Sequence, residues 1–205
     1  MPKIIDHDQR RLEIVLATKK LIVAGGFQAA TMREIATAAG YANGALKRYF
    51  DGKDEILMAT SKYVANQLVT RLENAVEGRH GLDAVSLIFE QTMPDRPENV
   101  DIARVLITFW ERSIGHPELS HSFRQDLLPW RQLTEKSLEQ AVVNGEVDSS
   151  LSPRVTADEL LTQMVGAHVM VQLNPAEPNV LRQVEHIRRR IAGLRVNLPV
   201  DARFN

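Results

Sequence analysis

Residues 31–50 read TMREIATAAGYANGALKRYF, two short helices meeting at a glycine corner. Thr31-Met32-Arg33-Glu34 has the form of a capping box, in which the hydroxyl takes one free amide and Glu34 reaches back to another. Met32, Ile35, Ala36 and Ala39 recur as a buried stripe, and Gly40 supplies the left-handed residue that closes the helix. The next helix is expected over 43–49, about two turns, too short to support itself in water. Leu46 and Phe50, four apart, are placed to hold it from behind. Its front then presents Asn43, Gly44, Lys47 and Arg48.

Helical periodicity continues outward on both sides. Before the corner, Ile14, Ala17, Thr18, Leu21 and Ile22 repeat at helical spacing, Gly25-Gly26 ends that helix, and Phe27 is expected to fold back on the core. After Asp51-Gly52 come segments expected as helices at about 53–77, 81–93 and 98–114. His116-Pro117 restarts the chain, Pro129 is expected to kink or divide the segment after that restart, 144–153 is a loop, and two more helices are expected at about 154–173 and 177–195. The expectation is an all-α fold of about nine helices.

Composition narrows the class. The 44% apolar share suffices for a core in a chain of 205 residues, which fits one large domain or two small ones. Net charge is −1, yet residues 1–60 hold nine Lys or Arg against seven Asp or Glu, while the rest hold 16 against 19. That sign suits an N-terminal part that meets phosphate. The absence of cysteine removes disulfides, thiolate nucleophiles and cysteine-ligated metal. MPKIIDHDQRR carries no apolar signal segment, and no run of about 18 apolar residues is present to span a bilayer, so a soluble cytoplasmic protein without membrane contact is expected. No Gly-x-Ser-x-Gly elbow, phosphate loop or His-Glu-x-x-His occurs. Asp54-Glu55 opens a helix, where the dipole accounts for it. His116 and His121 are badly spaced for a shared metal. No enzyme activity, metal or cofactor is implied.

A helix pair around a glycine corner is a helix-turn-helix, whose second helix enters the DNA major groove and offers its early residues to base edges. Asn pairs bidentately with adenine, and Arg or Lys with guanine. Gly44 lets the backbone come close. Thr31, Tyr49 and Lys53 flank this face and suit phosphate contacts, which position without reading sequence. The plainer alternative is a helical hairpin with a solvated polar face.

GFQAATMREIATAAGYANGALKRYFDGKDEIL, residues 26–57, resembles the DNA-binding region of the TetR family of bacterial transcriptional regulators. The resemblance implies that residues 1–52 form a helix-turn-helix DNA-binding domain and 53–205 a helical ligand-binding and dimerisation domain. It implies DNA-facing positions at Thr31, Arg33, Asn43, Gly44, Ala45, Lys47, Arg48, Tyr49 and Lys53. Two positions depart from the family pattern: Ala42 stands where Ser or Thr is usual, and Lys47 where an aromatic is common. Residues 100–127 and 144–175 resemble the ligand domain of a BetI-like subgroup. Val165-Gly166-Ala167 replaces that subgroup's Asp-Gly-Leu, so choline or betaine sensing is not implied.

In the C-terminal part, Phe89, Phe109, Trp110, Phe123 and Trp130, with His168 for polarity, are candidates for a largely apolar ligand pocket; a packed core would use them equally well. Ala157, Leu160, Leu161, Met164 and His168 line one of the last two helices, and Val184, Ile187, Ile191 and Leu194 the other, at near-heptad spacing. Across a two-fold axis these would form a four-helix dimer interface; the alternative is burial within one subunit. Arg188-Arg189-Arg190 reads as a solvated face. The function expected is a dimeric, ligand-responsive regulator on a double-stranded, near-palindromic operator, a repressor released by a small-molecule effector. An activator of the same fold and a helical protein-interaction adaptor are the alternatives.

Overall fold

The computed structural model describes residues 6–174 and 179–196, without the side chains of residues 43, 118, 122, 123 and 179–181. Its elements are α1 (His7–Ala29), α2 (Met32–Ala39), a 3-10 helix (Asn43–Arg48), α3 (Lys53–Ala75), α4 (Gly81–Glu90), α5 (Pro97–Ser113), α6 (Pro117–Val143), α7 (Pro153–Leu173) and α8 (Asn179–Ala192). Regular structure among the described residues is helical, apart from one antiparallel bridge between Val147 and Arg195.

The chain forms two compact units, Met1–Leu68 with Asp101–Leu127, and Val69–Val100 with Leu128–Asn205. In the first, the core gathers Ile14 and Ile22 of α1, Ile35 of α2, Leu46, Phe50, Ile56 and Val64, with Val105, Leu106 and Phe109 of α5. The α1 helix starts on Asp6, whose carboxylate accepts the amides of Asp8 and Gln9. The glycine pair interrupts it. Gly25 and Gly26 depart from helical geometry (Gly26 at φ 68°, ψ −166°, open to glycine alone), and a last turn resumes to Ala29. The glycine pair thus ends the regular helix as expected, and the short turn after it is set off by a kink.

In the second unit α7 packs against α8, and α4 also meets α8. Buried Leu82, Val85, Ile88 and Phe89 of α4 share this core with Leu160 and Met164 of α7 and Val184, Ile187 and Ile191 of α8. Arg188 is a structural residue: it meets Glu90 through two bonds of 2.7 and 2.9 Å and Asp95 at 2.9 Å. Arg189 and Arg190 lie on the exposed side, paired with Glu185 and Glu159. Of the expected kink or division at Pro129, the division is absent, since α6 runs through it. Pro129 is exposed, which lets the carbonyl it deprives of a partner turn to water.

Glu146 ties the unit's ends together. Its carboxylate accepts the Leu82 amide at 2.8 Å, and its carbonyl accepts the Val196 amide at 2.8 Å. Gly81 makes room for this: it has φ +60°, and a Cβ there would stand 2.1 Å from a Glu146 carboxylate oxygen.

Candidate nucleic-acid interface

Thr31 caps α2 as expected, its hydroxyl accepting the Glu34 amide at 3.2 Å, while the Glu34 carboxylate lies 3.4 Å from Arg33. Gly40 is left-handed at φ 76° and returns its amide to Ala36 and Thr37. The segment expected as a regular helix over 43–49 is a tight 3-10 helix over Asn43–Arg48, entered from Ala42 without a side-chain cap. Asn43 and Gly44 are weak helix formers, and without a cap the short run tightens to i→i+3 bonding.

The tighter winding sorts the side chains. With three residues per turn, Gly44 lies beneath Lys47 and Ala45 beneath Arg48. Leu46 is fully buried and Phe50 nearly so, each contributing roughly 1.5–3 kcal/mol through burial. Gly44, Lys47 and Arg48 are exposed, and Ala45 half so. Two long cationic arms therefore rise beside two residues too small to obstruct them. The side chain of Asn43 lies outside the described residues.

The flanking candidates divide. Thr31 and Arg33 are exposed. Tyr49 is half-buried, its ring 5.0 Å from that of His7 and 5.9 Å from that of Tyr41. Tyr41 in turn donates to Glu13 at 2.7 Å, and Arg10 bonds both. The Lys53 ammonium sits 3.6 Å over the Phe27 ring and donates to the Phe27 carbonyl at 3.3 Å. Burial holds its pKa below the ordinary lysine value, with Asp54 opposing.

Two residues not singled out by the sequence stand beside this segment. Arg11 of α1 donates to the Tyr49 carbonyl and, at 2.9 Å, to Glu55, and its guanidinium carbon lies 4.0 Å from the centre of the Phe50 ring. The second oxygen of Glu55 accepts the Asp51 amide at 2.6 Å. No periodicity distinguishes Arg11 from Arg10 in the sequence; only the fold separates their partners. On the neighbouring carboxylate, Asp54 takes two bonds from Arg112, at 3.0 and 2.9 Å, which hold its pKa below the usual range.

The pocket candidates fall in both units. Phe109 is buried in the first unit's core, with Trp110 packed against it. Asp126, also of that unit, accepts from Ser61 at 3.2 Å, and burial raises its pKa. Phe89, Trp130 and His168 belong to the second unit and are buried, with the Phe89 and Trp130 rings 6.2 Å apart. His168 bonds the Thr92 carbonyl at 2.8 Å, and burial lowers its pKa to about 4, so it is neutral. Phe123 lies outside the described side chains. Among the described residues, the buried side-chain atoms without a hydrogen-bond partner are Arg71 Nε, Trp130 Nε1 and His168 Nδ1, all in the second unit.

The stripe read as a dimer face needs correction. Ala157, Leu160, Met164, His168, Val184, Ile187, Ile191 and Leu194 are buried within the chain itself, and Leu161 is half-buried. Their heptad-like spacing marks the inward faces of α7 and α8. What these helices leave open is a groove of 690 Å³ edged by Gln163, Gly166, Met170, His186 and Arg190. No helix among the described residues is long and apolar enough to cross a membrane.

Comparison with known proteins agrees with this arrangement. Residues 14–60 match the family described as "Bacterial regulatory proteins, tetR family", and residues 81–196 match "BetI-type transcriptional repressor, C-terminal". The HTH-type transcriptional regulator PksA of Bacillus subtilis is 34% identical over 110 residues, 53% of this chain and 54% of that protein. The regulator BetI of Stenotrophomonas maltophilia is 31% identical over 122 residues, 58% and 62% of the two chains. The chain thus spans little more than half the length of these curated relatives. Among solved structures, a putative transcriptional regulator from Saccharomonospora viridis in complex with choline superposes with TM-score 0.83 at 17% identity, over 93% of this chain and all of that one. The regulator FadR from Bacillus subtilis in complex with stearoyl-CoA gives 0.74 at 18%, over 88% and 96%. These likenesses are of fold. With more than half of its length matched by the BetI-type region and its N-terminal part by the helix-turn-helix region, the chain belongs to the TetR family of bacterial transcriptional regulators.

Proposed function

We propose that the protein is a homodimeric repressor that binds a near-palindromic DNA operator through residues 1–52 and is released by a small-molecule effector bound within residues 53–205. The observation that carries this reading is the 3-10 segment, anchored by buried Leu46 and Phe50, with Lys47 and Arg48 exposed beside small residues. Lys47 and Arg48 reach base edges or phosphates, and Thr31 and Arg33 meet the backbone at the start of α2. Two such heads, about 34–36 Å apart, read successive major grooves.

The second copy covers the α7–α8 groove. Gly166 allows close approach, Met170 gives apolar area, and Gln163, His186 and Arg190 form a polar rim. The effector meets the aromatic and unpartnered polar groups of Trp130 and His168, because buried donors and acceptors are seldom left unpaired. The choline and stearoyl-CoA of the two structural neighbours belong to those proteins; one fold taking ligands so different assigns neither here. Release requires an effector–DNA coupling of about 1–3 kcal/mol, a 5- to 150-fold change in affinity.

The test is operator binding over a salt series, with fragments selected by the protein from genomic DNA. Affinity should fall steeply with salt, as counterions are released on phosphate contact. A Lys47→Ala/Arg48→Ala variant that is still folded and dimeric should bind the operator at least about a hundredfold more weakly. Unchanged affinity in that variant rules out this surface.

A further inference from the structure

Residues 49–51 lead out of the recognition segment, and each of the three is held by the same pair of side chains. The Tyr49 carbonyl, at a helix end where the last carbonyls lack intrahelical partners, accepts from Arg11. The Phe50 ring lies under the Arg11 guanidinium at 4.0 Å. The Asp51 amide donates to Glu55 Oε2 at 2.6 Å, and Glu55 Oε1 closes the ring by accepting from Arg11 at 2.9 Å. Arg11 stands on α1 and Glu55 in the first turn of α3, so one fork joins α1 and α3 to the exit of the segment between them.

Among the described side chains none caps the entry to that segment, where Ala42 makes no side-chain cap. The direction in which Lys47 and Arg48 point is therefore set from behind by Leu46 and Phe50, and from the far end by this fork. A half-exposed ion pair contributes little by itself. Here its value lies in geometry, because a planar guanidinium satisfies a carbonyl, a carboxylate and a ring face at once, which an ammonium cannot.

We infer that Arg11, braced by Glu55, is a positioning residue for DNA recognition: it fixes the exit of the 3-10 segment and so aims Lys47 and Arg48, without itself meeting DNA. This rests on the DNA-binding reading above. The rival role for an arginine so close to the recognition segment is a phosphate contact, and Glu55 separates the two. Neutralising a carboxylate beside a phosphate-binding arginine leaves affinity unchanged or raises it, whereas removing the brace of an aiming residue lowers it.

The experiment measures binding to a DNA fragment that the unmodified protein selects from a random-sequence library, across a potassium chloride series, for Arg11→Ala, Arg11→Lys, Glu55→Gln and Arg11→Ala/Glu55→Gln. Helical content, melting and dimer content are checked in parallel, and Lys47→Ala serves as the contact control. Arg11→Ala and Glu55→Gln should each weaken binding about tenfold or more, as for loss of a charge-assisted hydrogen bond. The double variant should be no weaker than Arg11→Ala, the mark of residues acting as one unit. Lys47→Ala should weaken binding directly. Parental affinity in Arg11→Ala, parental or raised affinity in Glu55→Gln, or full affinity in Arg11→Lys overturns the inference. Should Arg11→Ala fail to fold, Arg11→Lys and Glu55→Gln decide by the same criteria. Failure of the unmodified protein to select any fragment refutes the DNA-binding reading itself, a result visible before any variant is made.

Discussion

His168 shows how a single side chain carries chemistry that its sequence position conceals. The Thr92 carbonyl can only accept, so His168 Nε2 bears the proton and Nδ1 is left as a bare lone pair. Burial holds the ring neutral, with a pKa of about 4 against an ordinary 6.5. Between those values the unfolded chain binds more protons than the folded one, so the contribution is intact above pH 6.5 and lost as pH falls toward 4. The loss is on the order of 3 kcal/mol across that window. Denaturant melts at pH 7.5 and 4.5 should show it, and the difference between the parent and His168→Gln isolates it from Asp126. The raised pKa of Asp126 acts oppositely, giving stability at low pH that fades as pH rises through it. Gly81 makes a second prediction at this scale. Its positive φ and the Glu146 carboxylate against it leave no room for a methyl group, so Gly81→Ala should cost about 1–3 kcal/mol in urea melts. Neither result was legible in the sequence. His168 read there as a polar member of a pocket and of an interface, and Gly81 only as a helix start, because the groups that define both lie more than 60 residues away along the chain.

At the scale of elements the sequence was more open. The caps at Thr31 and Gly40, the stripe through Ile35 and Ala36, and the anchoring pair Leu46 and Phe50 all stand where local spacing put them, since each is decided within one or two turns. The errors came where context overrode local signals. Pro129 reads as a kink or a division, but it falls on an exposed face and α6 is not divided there. The heptad-like stripe of α7 and α8 is real, but periodicity gives only an apolar face and not which body covers it. The uncapped 3-10 segment is open to improvement. Ala42→Ser supplies an oxygen for its first free amides and should stabilise the protein by about 0.5–1 kcal/mol, read as a higher urea midpoint at unchanged slope.

For the whole molecule, the burial of Leu160, Met164 and Val184 shifts the proposed dimer contact to the groove between α7 and α8. Gly166→Arg, placed in the open groove where a Cβ would meet nothing within 4 Å, should leave a single chain folded while shifting sedimentation from dimer to monomer and abolishing operator binding with it. A monomer that still holds the full operator with parental affinity excludes pairing through this groove. The Glu146 tie bears on how the protein is handled. Because Val196 is hydrogen-bonded back to Glu146, Arg195 bridges to Val147, and the Arg195 guanidinium meets Asp83 at 2.9 Å, the segment after α8 is a sewn seam. A purification handle or fluorescent reporter grafted before residue 196 would rip that stitching, whereas the same cargo attached beyond it leaves the seam closed.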